Sequence, residues 1–232
     1  MALLIRSWNV FHGNADPPRR RGYLHAMVEL ARADEPDVLC LQEVPVWAVP
    51  RLAAWSEMHV EAAVARPPLL LGSLSAFVTR LHQGFFRSAI AGQANAILVA
   101  RRHSVADLGK ERISEHGRER RVVQAIRIED TLVVANLHAT NEFRHSQVPQ
   151  AEVERARAFA ESHARPGEPV VLAGDFNLRD PRLPGYSQPG PGIDQVLVRG
   201  APSTPVAVWP RERRVQEGVV LSDHAPVEVT VG

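Results

Sequence analysis

Residues 121–138 read RVVQAIRIEDTLVVANLH, and this stretch decides the fold class. It contains two apolar runs rich in β-branched residues, 121–128 and 132–138, separated by Glu129 and Asp130. This pattern predicts two antiparallel strands that are joined by a tight hairpin. Because strand pairs and not alternating strand–helix units dominate this part of the chain, we expect an α+β fold.

Further strands and helices are predicted on both sides of the hairpin. Apolar runs bounded by turn-forming residues predict strands at 2–9, 37–43, 57–65, 96–100, 169–173, 193–198, 204–208 and 226–231. Helical spacing of apolar residues predicts helices at 23–31, 46–56 and 148–163, and a helix from Ser73 is preferred within the ambiguous segment 69–86. Strands that are apolar on both faces need cover on both, so we expect two packed sheets with helices outside them.

The composition excludes several classes of protein. The chain has 232 residues, 45% of them hydrophobic, and its 27 basic and 26 acidic residues leave a formal charge of +1. This balance argues against a disordered polyelectrolyte and a coiled coil. No repeat or long linker divides the chain, so we expect one domain over residues 1–232. With Cys40 as the single cysteine and no apolar segment long enough for a signal or membrane span, we expect a monomeric cytoplasmic protein.

Polar residues interrupt the predicted strands at or just beyond their ends. They are Asn9, Glu43, Asn136, His138, Asp175, Asn177, Asp194, Asp223 and His224. Asn136 and His138 are two residues apart and so share one face of a strand, while Asp175 and Asn177 follow the end of another. Carboxylate and amide oxygens with few Cys or His ligands suit Mg²⁺ or Mn²⁺ better than zinc.

Several short motifs place these residues in a recognisable order. They are Trp8-Asn9-Val10, Leu41-Gln42-Glu43-Val44, Asn136-Leu137-His138, Gly174-Asp175-Phe176-Asn177, Ile193-Asp194 and Ser222-Asp223-His224-Ala225-Pro226. The set resembles the ordered motifs of the endonuclease/exonuclease/phosphatase superfamily, and 95–99 resembles its mid-chain strand. The resemblance implies a four-layer α/β/β/α sandwich and metal-dependent hydrolysis of a phosphoester.

The resemblance also implies a role for each residue on the metal and water side of the reaction. Glu43 is the principal Mg²⁺ ligand, and Asn9 and Asp223 complete the ligand set or hold its bound waters. Asp175 orients and deprotonates the attacking water. Asn177 fixes that geometry as a neutral donor, since a second carboxylate there would repel the phosphate.

The histidines have the complementary roles in this resemblance. Asp194 pairs with His224 in a dyad whose cationic imidazole stabilises the transition state. His138 donates to a phosphoryl oxygen or protonates the leaving group, and Asn136 supports His138 or contacts the phosphate. Accounts of the family's branches differ on whether the general base is Asp175 or His224, and both remain open here.

Weaker candidates for substrate contact lie outside these motifs. His12 and Arg121 are placed to meet a phosphoester substrate, and basic clusters at 19–21, 118–121 and 211–214 offer charges for phosphates. Trp47 and Trp55 offer surfaces on which bases stack. Each of these has an ordinary alternative as a loop histidine, a solvated basic face or a core aromatic residue.

Departures from the family's pattern narrow the range of activities that the resemblance implies. No Tyr lies between Trp55 and Ile97, which argues against the histidine–acid arrangement of the deoxyribonuclease-like branch. The chain has no room for the DNA-clamping insertions of apurinic-site endonucleases. The loop 180–192 carries Arg182 as its one basic residue, whereas inositol phosphatases carry several there.

Three functions compete on this basis. The first is a Mg²⁺-dependent phosphodiesterase that acts on nucleic acid. The second is a small-molecule or lipid phosphoesterase of the phosphatase or sphingomyelinase type, which the near-neutral charge and the apolar segment 69–86 favour. The third is a binding module without activity, and the complete set of catalytic residues argues against it.

Overall fold

Two mixed β-sheets form the centre of the computed structural model, which describes residues 2–19, 21–69, 74–77, 90–142 and 145–232. The six-stranded sheet has the order β11-β14-β1-β3-β5-β4, and the five-stranded sheet has the order β10-β9-β8-β7-β6. Within them, β1–β3 and β8–β9 are parallel pairs and the other pairs are antiparallel. A small third sheet has the order β12-β13-β2.

The strands of the three sheets are numbered in the order of the chain. They are β1 (Leu3–Asn9), β2 (Ala15–Asp16), β3 (Val38–Val44), β4 (His59–Arg66), β5 (Gln93–Val99), β6 (Val105–Arg112), β7 (Val122–Ile128), β8 (Leu132–His138), β9 (Val170–Asp175), β10 (Asp194–Arg199), β11 (Ala207–Val208), β12 (Val215–Gln216), β13 (Val219–Leu221) and β14 (Val227–Val231). The helices are α1 (Leu24–Arg32), α2 (Val49–Ser56) and α3 (Gln147–His163). Short 3-10 turns cover Phe11–Gly13, Val46–Ala48 and Arg211–Arg214.

Three apolar layers hold the four structural layers together. One lies between the sheets and includes Ile5, Cys40, Ile126 and Val171. A second packs α1 and α2 on the six-stranded sheet, and a third packs α3 on the five-stranded sheet. The predicted four-layer α/β/β/α sandwich is therefore confirmed. Cys40 is fully buried, and desolvation raises the pKa of its thiol, so it packs as a small apolar side chain.

The 121–138 hairpin forms as the sequence predicts, with Ile128 opposite Leu132. Its neighbour β6 was not predicted. This strand is at the edge of the sheet, has a register shift between Asp107 and Gly109, and is largely exposed, so it lacks the apolar run that marks a buried strand.

Two further predicted elements differ from the structure or lie partly outside it. The strand predicted at 204–208 is shortened to Ala207–Val208. The helix preferred from Ser73 falls outside the described residues apart from 74–77. None of the described helices is long and apolar enough to cross a lipid bilayer.

The carboxylate of Asp37 links β3 to two other parts of the fold. It accepts hydrogen bonds from His103 Nε2 at 2.6 Å, Arg102 Nη2 at 2.6 Å and the backbone N–H of Leu4 at 2.8 Å. Burial alone would raise the pKa of Asp37, but the hydrogen bonds outweigh it and hold the pKa below its ordinary value.

The lowered pKa of Asp37 is expected to make the stability of the fold depend on pH. A carboxyl group whose pKa is lower in the folded chain stabilises the fold above its unfolded pKa of about 3.9, and that stability is lost as the pH falls through the folded pKa. We expect Asp37→Asn to lower the free energy of unfolding by about 1–3 kcal/mol at pH 6. The difference from the parent chain should shrink below pH 3. Urea unfolding of the parent and the variant at pH 6 and below pH 3 checks this. An equal loss of unfolding free energy in the variant under both conditions would contradict it.

Candidate active site

One end of the sandwich collects the polar residues that follow the strands. β1 and β3 run parallel, so Asn9 and Glu43 come to the same edge of their sheet. In the other sheet, β8 and β9 also run parallel, with His138 opposite Asp175, and Asp194 begins β10 opposite Asp175. The sequence-predicted residues thus converge because two parallel strand pairs end at one edge of the packed sheets.

The backbone at Glu43 departs from the regular pairing of β3 with β5, and this directs the Glu43 side chain towards the site. Its φ is 55°, and the register between β3 and β5 shifts between Leu41 and Val44. A bulge of this kind re-aims a side chain, here towards Asn9 Nδ2 at 3.2 Å and His12 Nε2 at 3.3 Å. His12 itself has a φ of 51°, so two residues with left-handed backbone bring the Glu43–His12 pair together.

Asp175 is at the centre of the cluster and is buried. Its Oδ2 accepts a hydrogen bond from Asn9 Nδ2 at 3.0 Å and lies 3.5 Å from His138 Nε2 and 3.8 Å from His224 Nε2. Its Oδ1 accepts a hydrogen bond from the backbone N–H of Asn177 at 3.0 Å. Burial and the nearby Asp194 raise the pKa of Asp175 to about 7 in the metal-free protein.

Asp194 and His224 form the predicted pair. The Nδ1 atom of His224 lies 2.8 Å from Asp194 Oδ2. Burial would lower the pKa of His224, but the hydrogen bond to Asp194 and the charges of Asp194, Asp175 and Asp223 raise it to about 10. The imidazole is therefore cationic at neutral pH, with Nδ1–H donated to Asp194 and Nε2–H directed towards Asp175.

His138 is the opposite case, a buried and neutral imidazole. Desolvation and the charges of Arg121 and His224 hold the pKa of His138 well below its ordinary value. Arg121 Nη1 lies 3.1 Å from His138 Nδ1, and the Gln93 side-chain amide lies 2.8 Å from the same atom. Arg121 Nη1 also lies 3.3 Å from Nε2, but the shorter contacts of both donors are to Nδ1. We therefore assign Nδ1 as the acceptor and place the proton on Nε2, which faces the cluster.

Gln93 is a site residue that the sequence reasoning missed. It begins β5, is buried, and holds the ring of His138 from the strand on which only 95–99 had been singled out. A polar residue at the start of a largely apolar strand was the available signal.

Arg121 was predicted to touch substrate, and in the structure it contacts His138 and Glu119. Its Nη2 atom donates to Glu119 Oε2 at 3.1 Å.

Asn136 does not face the cleft. Its side chain is fully buried between the sheets, where Nδ2 donates to the carbonyl oxygens of Leu41 and Ala96, both at 3.0 Å. Its Oδ1 accepts a hydrogen bond from Gln42 Nε2 at 2.8 Å. The residue thus fastens β8 to the opposite sheet, which leaves it no exposed atom for the predicted phosphate contact.

Asn177 and Asp223 are at the open side of the cluster. Asn177 Nδ2 donates to the carbonyl oxygen of Ala139 at 2.9 Å, which anchors the loop after β9. Asp223 is exposed, and Ser222 anchors its loop by donating to the carbonyl oxygen of Asn9 at 2.7 Å. Arg214 supports the same loop through Nη1, which donates to the carbonyl oxygen of His224 at 3.0 Å.

The basic clusters have other partners at several positions. Arg21 pairs with Glu217, Arg118 with Glu115 and Glu142, and Arg213 with Asp34. These pairs agree with the ordinary interpretation of the clusters as a solvated surface.

Two cavities border the cluster. An open cleft of about 960 Å³ is lined by Asn177, Asp194, Asp223 and His224 among others. A second cavity, of about 730 Å³, reaches the cluster at His12. The cleft therefore borders the cluster at Asp194 and His224, and the second cavity borders it at His12.

The donor set fits a hard divalent cation. Carboxylates of Glu43, Asp175, Asp194 and Asp223 surround the site, and carboxylate oxygens of Asp175 and Asp194 lie within 4.8 Å of each other. The Oδ1 atom of Asp194 is buried and accepts no hydrogen bond from a described residue. Such a concentration of acidic oxygen would repel a phosphate unless a cation offsets it.

Gly174, the residue before Asp175, has a conformation that glycine alone adopts easily. Its φ is +145°, and an added Cβ would overlap the carbonyl oxygen of Leu137 on the neighbouring strand. We expect Gly174→Ala to destabilise the fold by more than about 3 kcal/mol because β8 and β9 must separate.

A matched variant isolates this overlap from backbone strain. Gly109 also has a positive φ, +89°, but no atom lies within 4 Å of an added Cβ. We expect Gly109→Ala to cost only about 1–2 kcal/mol. Thermal or urea unfolding compares the two, and equal losses would contradict the overlap.

A buried carboxylate, two histidines in different charge states and further acidic oxygens at one end of a two-sheet sandwich define the class of metal-dependent phosphoesterases. The chain belongs to the Endonuclease/Exonuclease/phosphatase family, whose model matches residues 7–224. Members of this family are hydrolases of phosphoester bonds and depend on a divalent metal. No curated protein sequence gives a significant match.

Solved structures confirm the fold at low sequence identity. Truncated TDP2 from Caenorhabditis elegans is 18% identical with a TM-score of 0.68, over 100% of this chain and 97% of that chain. The mannosyl-6-phosphatase Bt3783 from Bacteroides thetaiotaomicron is 17% identical with a TM-score of 0.66, over 99% of both chains. A functionally unknown conserved protein from Enterococcus faecalis is 18% identical with a TM-score of 0.67, over 99% of both chains.

Proposed function

We propose that this protein hydrolyses phosphodiester bonds in nucleic acid with Mg²⁺ or Mn²⁺ as its cofactor. The observation that carries the proposal is that two cavities border the reacting cluster, one at Asp194 and His224 and the other at His12. A phosphodiester has a substituent on each side of the phosphorus atom, and both substituents need space. A phosphomonoester needs space on one side only.

The metal would be held by Glu43, with Asn9 and Asp223 completing the ligand set or holding its bound waters. When bound, the ion neutralises phosphate charge and stabilises the leaving oxygen. Glu43 has the required freedom, since its side chain is 20% exposed and faces the cluster. Asn9 Oδ1 accepts the backbone N–H of Phe11 at 3.0 Å, and this contact fixes the amide's orientation beside Glu43.

Asp175 would orient the attacking water and accept its proton. The Asn9 amide and the backbone N–H of Asn177 hold the two carboxylate oxygens in fixed directions, so the water is bound in one geometry. Asn177 itself would keep one side-chain N–H free for the phosphate while the other binds Ala139.

The two histidines would act on the phosphoryl oxygens from their different charge states. The cationic His224, held by Asp194, offsets the negative charge that develops in the transition state. The neutral His138 directs Nε2–H into the cluster and donates it to a phosphoryl or leaving oxygen.

The direct test is an Mg²⁺-dependent cleavage assay on single-stranded DNA, duplex DNA and RNA, with chelator and Asp175→Asn controls. We expect cleavage that the chelator and the variant both abolish. A small phosphomonoester such as mannose 6-phosphate and phospholipid vesicles form further arms. Hydrolysis confined to either arm would overturn the nucleic-acid proposal in favour of a small-molecule or lipid phosphoesterase.

A further inference from the structure

The second cavity, which borders the active site at His12, has an unusual lining. His25, Trp47, Arg51 and Trp55 contribute to its walls, and none of these four residues has a part in the proposed chemistry. The apolar side of the same cavity is lined by Leu74, Ala76 and Phe77. Its volume of about 730 Å³ is that of a typical small-ligand pocket. The cavity is therefore large enough for a nucleotide-sized group next to the reacting phosphate.

Three of these residues form one stripe along a helical segment. Trp47, Arg51 and Trp55 are four residues apart, and they follow each other from the 3-10 turn Val46–Ala48 into α2. Residues at this spacing share one face of a helix. The stripe is only partly covered, since both indoles are half-buried and Arg51 is exposed.

The rings of this lining present planar surfaces. The Trp55 ring lies 5.1 Å from that of His25 and 6.4 Å from that of Trp47, centroid to centroid. The indole nitrogen of Trp47 is buried and has no hydrogen-bond acceptor among the described residues. Since this nitrogen is buried, the parts of the Trp47 side chain open to the cavity are its apolar ring atoms, which suit stacking.

Arg51 supplies a charge at the same wall. Its guanidinium carbon lies 5.3 Å from the Trp47 ring centroid, and Nη1 donates to the carbonyl oxygen of Trp47 at 3.2 Å. Within the described part of the chain it makes no ion pair. The guanidinium is thus available for a flanking phosphate.

We propose that this cavity, bounded by His12, Trp47, Arg51 and Trp55, binds the nucleobase of the nucleotide adjoining the scissile phosphate. The inference rests on the proposed function and specifies its substrate class. Indole surfaces and a guanidinium that has no ion-pair partner among the described residues match a base and its phosphate, because every base has a flat face for stacking. A sugar without a base would leave these groups uncovered.

Activity on matched substrates tests the cavity. The substrates are a short deoxynucleotide phosphodiester and the same ester with an abasic sugar beside the scissile bond. We expect kcat/KM to be about 10-fold or more higher with the base present. Trp55→Leu and Arg51→Met should reduce this preference, and Trp55→Phe should restore most of it. Arg165→Met, an exposed arginine paired with Asp130 outside the cavity, is the matched control.

Binding provides a second measurement that does not depend on turnover. Trp8 and Trp209 are 0% and 3% exposed, so quenching of tryptophan fluorescence reports mainly on Trp47 and Trp55. In the Asp175→Asn variant with Mg²⁺, adenosine 5′-monophosphate should quench this signal and ribose 5-phosphate should not. Trp55→Leu in that background should weaken the quenching.

The outcomes separate the cavity from the chemistry. Equal kcat/KM for the two esters, together with no quenching by the nucleotide, would overturn the proposal that the cavity binds a base. If cleavage is still sensitive to the chelator in that case, the proposed function is upheld. Base-dependent quenching without hydrolysis of either ester would overturn the proposed function and uphold base binding.

Discussion

Replacing Asp175 by Asn is expected to lower kcat for phosphodiester hydrolysis by about 10³-fold or more, because in the proposed mechanism the buried carboxylate orients the attacking water and accepts its proton. Asn has the same shape but cannot take the proton. Its amide also places an N–H opposite one of the two groups, Asn9 Nδ2 or the Asn177 backbone N–H, that now donate to the carboxylate oxygens. Steady-state kinetics of the parent and variant chains measure the loss.

The same variant should not be less stable than the parent. Burial and the nearby Asp194 raise the pKa of Asp175, so at neutral pH its charged form opposes folding in the metal-free protein. We therefore expect the urea midpoint of Asp175→Asn to equal or exceed that of the parent without metal. A variant that is both folded and active within 10-fold of the parent would remove Asp175 from the chemistry.

Replacing Asp194 by Asn is expected to lower kcat by about 10²–10⁴-fold. The neutral amide can still face His224 Nδ1, but it no longer supplies the charge that favours the imidazolium. We expect the loss in kcat and not in KM, because the imidazolium acts on charge that develops in the transition state. The imidazole resonances of His224 in NMR spectra should also titrate at a lower pH than in the parent.

Asp180→Asn is the matched control for this prediction. Asp180 lines the same open cleft and is exposed, but it makes no hydrogen bond or ion pair with a described residue. Its kcat should stay within about twofold of the parent. An equal loss in Asp180→Asn and Asp194→Asn would mean that the general charge of the cleft, and not the pair with His224, governs the rate.

The elements that could be predicted are those whose cause is local. The hairpin from Val122 to His138 has apolar β-branched residues in both strands, and both strands are buried. The edge strand β6 is largely exposed to solvent, so it has no apolar run that could mark it in the sequence. Convergence of Asn9, Glu43, His138 and Asp175 was also predictable, since three of them end strands and Glu43 is the last residue but one of β3.

Contacts across the two sheets were beyond sequence reasoning. Asn136 and Gln42 are 94 positions apart, and Gln93 and His138 are 45 apart, yet each pair shares a hydrogen bond. Only the packing of one sheet on the other decides which polar residue meets which. For the same reason, Asn136 was predicted beside the phosphate although it bridges the sheets, and Gln93 was missed although it holds a site histidine.

The backbone of the site was equally inaccessible to pattern reading. Glu43 and His12 have left-handed φ values that no local residue preference requires. The spacing of Trp47 and Trp55 fitted a core stripe as well as a stacking surface, and the two interpretations differ only in what covers the rings. The cavity beside them follows from the positions of α1 and α2, which the sequence does not specify.

The most direct measurement is hydrolysis of a deoxyoligonucleotide by protein that a chelator has stripped of metal, before and after Mg²⁺ or Mn²⁺ is restored. We predict no turnover by the stripped protein, recovery with either ion, and no recovery in Asp175→Asn. Turnover that persists at the full rate in excess chelator would contradict a metal-dependent phosphodiesterase centred on the Asp175 cluster.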